Sequence, residues 1–167
     1  MRSMRSNNAA GLFAILTTLL LAAGCAGTPA VPAPTGAEPV LESSDVRASI
    51  AQLALSMVGV RYRYGGAHPR EGFDCSGLVH YAYTSNGLSV PRTSRDQFSA
   101  ARKISLAQAA EGDLLFFQDQ EKLSHVGIYL GDGLFVHAPS SGDTVRVARI
   151  DAPYYQRHLV AVGRLLP

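Results

Sequence analysis

Cys75, His125 and His137 are the residues whose types and order suit nucleophilic catalysis. Cysteine chemistry at neutral pH needs a thiol, an imidazole to take its proton, and a third polar group to orient that imidazole. Cys75 lies in the stretch Phe73-Asp74-Cys75-Ser76-Gly77-Leu78-Val79, where loop residues give way to a helical pattern. Asp74 is a helix-start residue, and Leu78, Val79, Ala82 and Tyr83 follow at the spacing of one buried helix face. This predicts a helix over about 75–85 with the cysteine in its first turn. Unpaired backbone N–H groups and the positive end of the helix dipole stabilise a thiolate there. The competing reading of one cysteine on a buried helix face is an inert apolar residue.

The histidines fall in the clearest hairpin of the chain, with strands over 125–130 and 134–138 and the turn Gly131-Asp132-Gly133 between them. If the loop is the three residues 131–133, Leu130 faces Leu134 and His137 lies opposite Gly127. His125 is then a diagonal neighbour of His137 on the same face. A two-residue loop shifts the parity and sends the two rings to opposite faces. The catalytic reading therefore expects an odd-length loop. Two histidines and a cysteine can also bind zinc, although no second short-spaced ligand pair accompanies them. A pair of structural histidines at a sheet end is the other alternative. His68, His80 and His158 are isolated, and no role is assigned to them.

The elements that must position these residues run as helices first and strands afterwards. A helix is predicted over about 45–58, followed by an alternating segment from Val60 to Tyr64 closed by Gly65-Gly66, and a loop over 67–72. After the Cys75 helix, Pro91-Arg92-Thr93-Ser94 turns into a short helix reaching about Ala101, and Leu106 to Ala110 suits a single turn. Strands follow at 113–117, at the hairpin, at 145–150 and at 159–166, with a turn or short helix at Pro153-Tyr154-Tyr155. This order implies an α+β fold with helices packed on one face of an antiparallel sheet.

The first residues read differently. Arg2 and Arg5 precede an apolar run from Ala9 to Ala23, which ends Leu21-Ala22-Ala23-Gly24-Cys25. The run suits a secretory signal over 1–24 and is short for a membrane span. Small residues before a cysteine resemble a bacterial lipoprotein cleavage site, with Cys25 lipidated as the new N-terminus. Residues 25–44, rich in proline and alanine, read as a tether with a reach on the order of 55 Å. Export with Cys25 lipidated would leave Cys75 as the sole free thiol in an oxidising compartment. Loss of Arg2 and Arg5 would leave 13 basic against 13 acidic residues. That balance, with no basic cluster, argues against a nucleic-acid partner. Ala26 lacks the aspartate that favours inner-membrane retention, which points to the outer membrane, periplasmic side, in a Gram-negative cell.

The stretches FDCSGLV, SHVGIYLGDG and FVHA, with GVRYRYGG before them and PRTSRDQ between, resemble the NlpC family of papain-like cell-wall cysteine peptidases. The likeness covers about 45–167. It implies a papain-like α+β fold, with the nucleophile helix packed against an antiparallel sheet that carries both histidines. It also implies hydrolysis of peptide bonds in peptidoglycan stem peptides or cross-links by a monomer needing no metal or cofactor. Carried over to this chain, Cys75 is the nucleophile, His125 the general base and His137 the orienting residue. Tyr62 matches a tyrosine beside the nucleophile that helps hold the oxyanion or the substrate amine, or else it is a strand-face aromatic. Asp74 and Ser76 match substrate-contacting positions, with helix capping as the plainer alternative for Asp74. Arg92 matches a family position that either braces a loop or meets a substrate carboxylate. Competing functions are an inactive lipoprotein that binds wall peptides, and a wall amidase or acyltransferase on the same scaffold.

Overall fold

The computed structural model describes residues 43–120 and 122–165. The expected leader over 1–24, Cys25 and most of the tether lie outside the described residues. The first helix, α1, spans Ser43–Ser56 and buries Ile50, Ala51 and Ala54. It ends two residues earlier than expected, in turns that close on Gly59 at φ +91°. The segment expected to alternate as a strand over 60–64 makes only isolated bridges, Arg61 with Thr144 and Tyr62 with Phe73. The predicted loop at 67–72 holds half of a small ribbon, β1 (Ala67–His68) paired with β2 (Gly72–Phe73). Helix α2 then covers Cys75–Thr84, and its buried residues include Leu78, Val79, Ala82 and Tyr83, the predicted face.

Helix α3 (Ser94–Ala100) starts at Thr93, whose side chain accepts from the Asp96 N–H. It leads into β3 (Arg102–Ile104), a short edge strand that hydropathy does not signal because Arg102 and Lys103 are both exposed. One turn of 3-10 helix at Leu106–Gln108 precedes β4 (Leu114–Asp119), β5 (Lys122–Gly131), β6 (Leu134–His137) and β7 (Arg146–Arg149). Helix α4 (Pro153–His158) and β8 (Leu159–Arg164) complete the described chain. The strands form one antiparallel sheet in the order β3-β8-β4-β5-β6-β7.

Consecutive apolar residues in β4 explain how the helices are shared out. Leu114 and Phe116 join Val126, Ile128 and Val136 against Ile50 and Ala54 of α1 and Leu78, Val79, Ala82 and Tyr83 of α2. Leu115 and Phe117 face the other way, with Phe135, Ile150 and Val162, and Tyr155 of α4 packs on them. All four β4 residues are essentially inaccessible. A strand buried on both sides needs cover on both sides. The expectation of helices on one face therefore holds for α1 to α3 and fails for α4.

The hairpin reaches the expected register by a different route. Ile128 pairs with Val136 and Tyr129 with Phe135, as predicted, but Gly131 then pairs with Leu134 across a bulge. The loop is thus two residues, Asp132 and Gly133, at φ +49° and +73°. Positive φ at both positions is what a type I′ turn requires. The extra residue in β5, with Gly131 at φ +88°, restores the parity that the short loop would have removed.

The residue before β4 and the end of β8 are fastened by an ion pair. Asp113, only 1% exposed, accepts from Arg164 Nε at 2.8 Å and from a terminal Arg164 nitrogen at 2.7 Å. Replacing Arg164 with Met leaves a buried carboxylate without its cation, which costs about 3–5 kcal/mol. Urea unfolding should show the loss as a lower midpoint with an unchanged slope. An unchanged midpoint would mean that the pair contributes nothing.

Candidate active site

The start of α2 is built around the Asp74 carboxylate. Its Oδ1 caps the helix by accepting from the Gly77 N–H at 2.6 Å, and its Oδ2 accepts from the Gly65 N–H at 2.9 Å. Arg92 donates to both oxygens, at 3.0 and 2.8 Å, and also to the Ser76 hydroxyl at 3.0 Å and the Gly66 carbonyl at 3.2 Å. These contacts brace the Gly65–Gly66 loop against the α2 start, while Arg92 also lines the cleft beside Cys75. Burial pushes the Asp74 pKa up, but Arg92, the Gly77 N–H and the Ser76 hydroxyl outweigh it and hold the group below the usual carboxylate range. Gln97, fully buried in α3, adds a second tie by donating to the Ser76 and Pro91 carbonyls.

Cys75 follows at the partly buried end of the helix. The backbone N–H groups of Val126, the residue after His125, of Ser76 and of Cys75 itself act to lower the thiol pKa. Val126 lies on β5 beyond Ile128 and Val136, the last pair of the β5–β6 ladder. Burial nevertheless raises the thiol pKa above its ordinary value, and the Asp74 charge adds to the rise. Desolvation thus works against the thiolate that the helix start is expected to stabilise, and the backbone N–H groups work for it.

The two histidines lie on the face shared by Phe117 and Phe135, the reverse of the one α2 covers. His125 is paired with Phe117 across the ladder, and its ring centroid is 5.9 Å from that of Phe117. The His137 ring is 4.9 Å from Phe135 and 4.9 Å from His125. His125 Nε2 and His137 Nδ1 are 2.7 Å apart, a hydrogen bond that leaves His125 Nδ1 as the nitrogen available to a thiol. Burial, then the nearby Arg146 charge, push the His125 pKa down to about 4. His137, 1% exposed, is lowered for the same reasons, with His125 adding to the effect. Both rings are neutral at pH 7, so the site combines a neutral thiol with a neutral base.

Tyr62, Tyr64, Gly65, Asp74, Cys75, Ser76 and Arg92 line a cleft of about 480 Å³. His125, His137, Asp119, Arg146, Tyr154 and Tyr155 line a second hollow of about 550 Å³, and Ser124 borders both. The Tyr62 phenol is held above its ordinary pKa by burial and by the Cys75 and Asp74 charges beside it. The expected residues are thus divided between two adjoining hollows, Tyr62, Asp74, Cys75, Ser76 and Arg92 in the first and His125 and His137 in the second, with Ser124 common to both. Sequence reasoning missed Gly65, Gln97, Arg146 and Tyr155. Each comes from a segment remote in sequence, and no spacing rule connects it with the cysteine. Among the described residues no group of three or more His, Cys, Asp or Glu is placed to hold a metal ion.

Comparison with known proteins bears on this arrangement. Residues 59–164 match the NlpC/P60 family. The chain is 37% identical over 131 residues to the bifunctional muramidase/DL-endopeptidase CwlT of Bacillus subtilis, which covers 77% of this chain and 39% of that protein. It is 38% identical over 117 residues to the murein DD-endopeptidase MepH of Escherichia coli, covering 67% of this chain and 43% of the relative. The chain therefore spans less than half the length of either. A crystal structure of a lipoprotein-like NLP/P60-family protein from Staphylococcus aureus superposes with a TM-score of 0.68 at 35% identity, over 80% of this chain and 45% of that one.

Two measurements test the electrostatics. An unfolded histidine takes up its proton near pH 6.5, whereas native His125 refuses it until about pH 4. Its stabilising contribution is complete above pH 6.5 and is lost as the pH falls towards 4. Between pH 7 and pH 5 the loss is on the order of 2 kcal/mol. Melting temperatures should fall over that range, and more shallowly in His125→Gln. In the second test, Arg92→Leu removes the guanidinium from a part-buried carboxylate, with a loss of roughly 1–3 kcal/mol in chemical denaturation. Equal stability in the variant would show that Asp74 needs no such partner.

Proposed function

This chain belongs to the NlpC/P60 family, and on that premise we propose that it is a cell-wall cysteine peptidase acting on peptidoglycan stem peptides or their cross-links. The observation that carries the reading is the 2.7 Å bond between His125 Nε2 and His137 Nδ1. With the Nε2 proton given to His137, the His125 Nδ1 lone pair is free to take the Cys75 proton. Val126, the residue next to that base, is near enough to the sulfur for its backbone N–H to act on the thiol pKa.

The chemistry follows from this placement. As the substrate carbonyl settles over the sulfur, the Cys75 proton passes to His125 Nδ1 and the thiolate attacks the carbonyl carbon. Negative charge then develops on the carbonyl oxygen. In this reading the backbone N–H groups at the α2 start and the Tyr62 hydroxyl receive it, and Tyr62 lining the same cleft as Cys75 supports that role. His125 returns the proton to the leaving amine, the C–N bond breaks and a thioester remains. Water, deprotonated by His125, attacks the thioester, releasing the acid and restoring the thiol. Asp74, Ser76 and Arg92 form one wall of the cleft, where the ion pair of Asp74 and Arg92 presents polar atoms to a bound peptide. His137 holds the His125 ring throughout.

A lipid on Cys25 would hold the enzyme at the membrane surface facing the wall, at the outer membrane if the cell is Gram-negative. The run Leu21-Ala22-Ala23-Gly24-Cys25 supports this part of the reading. A tethered enzyme suits a polymer that does not diffuse.

Digestion of purified peptidoglycan by the purified protein, beside Cys75→Ser, tests the proposal, with products resolved by mass. Fragments should arise from the wild type only, at a rate roughly a thousandfold or more above the variant. Their masses distinguish a cut next to D-Glu from a cut at the D-Ala cross-link. Equal products from both proteins would remove Cys75 as nucleophile. Absence of products from both, on cross-linked and uncross-linked material, would favour a peptide-binding protein.

A further inference from the structure

The His125–His137 bond can run in either of two senses, and only one of them serves the thiol. A neutral imidazole carries a single ring proton. If His125 is protonated on Nε2, His137 must accept at Nδ1 and hold its own proton on Nε2. In the opposite sense His137 donates from Nδ1, and His125 then turns an N–H, not a lone pair, towards Cys75. The choice is made at the far nitrogen of His137, which lies 3.2 Å from the Tyr155 hydroxyl.

We propose that Tyr155 is a positioning residue, whose hydroxyl accepts the Nε2 proton of His137 and so fixes the sense in which His125 faces the thiol as a base. Three features place that hydroxyl. The Tyr155 ring meets His137 edge-on at 5.4 Å, Phe135 at 4.9 Å and Phe117 at 5.4 Å, all from the same face of the sheet. Helix α4, opened by Pro153, holds the residue against these strands, and the tyrosine packs within the apolar cluster of Leu115, Phe117 and Phe135. Because His137 is 1% exposed, its Nε2–H relies on a protein acceptor. A phenol hydroxyl can accept there and turn its own proton towards the hollow that Tyr155 lines. A hydrogen-bonded line thus runs from His125 through His137 to Tyr155. Its importance for turnover rests on the peptidase reading, whereas the proton arrangement does not.

Tyr155→Phe keeps the ring and removes only the hydroxyl. Nitrogen-15 spectra of histidine-labelled full chain at pH 7 read the tautomers directly, with no need for substrate. The wild type should show both His125 and His137 protonated on Nε2, and the variant should show His137 in mixed tautomers. On peptidoglycan the variant should lose roughly 5- to 10-fold in kcat, the worth of about one hydrogen bond, with KM unchanged. An Nδ1-protonated His137 in the wild type would overturn the proposal, as would an unchanged tautomer in the variant. A tautomer change with kcat intact would overturn the catalytic part. If the wild type fails to cleave peptidoglycan while the tautomers behave as expected, the failure belongs to the proposed function and the role of Tyr155 at His137 stands.

Discussion

The Asp74 carboxylate is the fastening on which the site depends. It gathers the Gly65 N–H, the Gly77 N–H, the Ser76 hydroxyl and both arms of the Arg92 guanidinium, and so ties together a loop, a helix start and the approach to α3. The segments also meet at very short range. A side chain on Gly77 would lie 1.9 Å from the Gly66 carbonyl oxygen, so glycine is required where the loop crosses the helix. That carbonyl in turn accepts from the Asp74 N–H and from Arg92. One charge thus holds the backbone donors around the sulfur in place before any substrate arrives. Preorganised donors of this kind need no rearrangement when charge develops.

The reacting groups come from opposite sides of the sheet. Helix α2 packs on one face and the histidines point from the other, and the backbone N–H of Val126, past the last β5–β6 pair, acts on the cysteine. This geometry has an electrostatic cost. Both faces are well covered, so desolvation keeps the thiol protonated and the imidazoles neutral at rest. The same dryness strengthens the hydrogen bonds that align the rings. The site is therefore poised by orientation more than by resting charge.

Much of this was legible in the residues, and the gaps have physical causes. The Asp74-to-Tyr83 pattern contains both a cap and a helical period, so α2, its buried face and the place of Cys75 could be read locally. The histidine register could be read too, because pairing parity is a counting problem, although the count was met by a bulge and a shorter loop. Strand β3 escaped because it is a three-residue edge with two exposed basic side chains. The pairing of Arg92 with Asp74 and that of the Tyr155 hydroxyl with His137 escaped because each partner lies 18 residues from its target, where only the folded chain sets the distance. The apolar run in β4 was visible, but its demand for a helix on the second face was not drawn from it.

Surface turns are ordinarily where chains gain or lose residues with least penalty. The tip formed by Leu130, Gly131, Asp132 and Gly133 is a turn of that kind, yet its length is tied to the alignment of two rings far down the strands. One residue added or removed there would invert the facing of a whole strand unless a bulge absorbs it, as the one beside Gly131 does here. An odd change in length at this tip is therefore tied to a compensating bulge, and a shuffled or grafted loop inherits the same arithmetic. A position distant from the cysteine, touching none of the reacting atoms, thus sets a rule for how this fold can diverge.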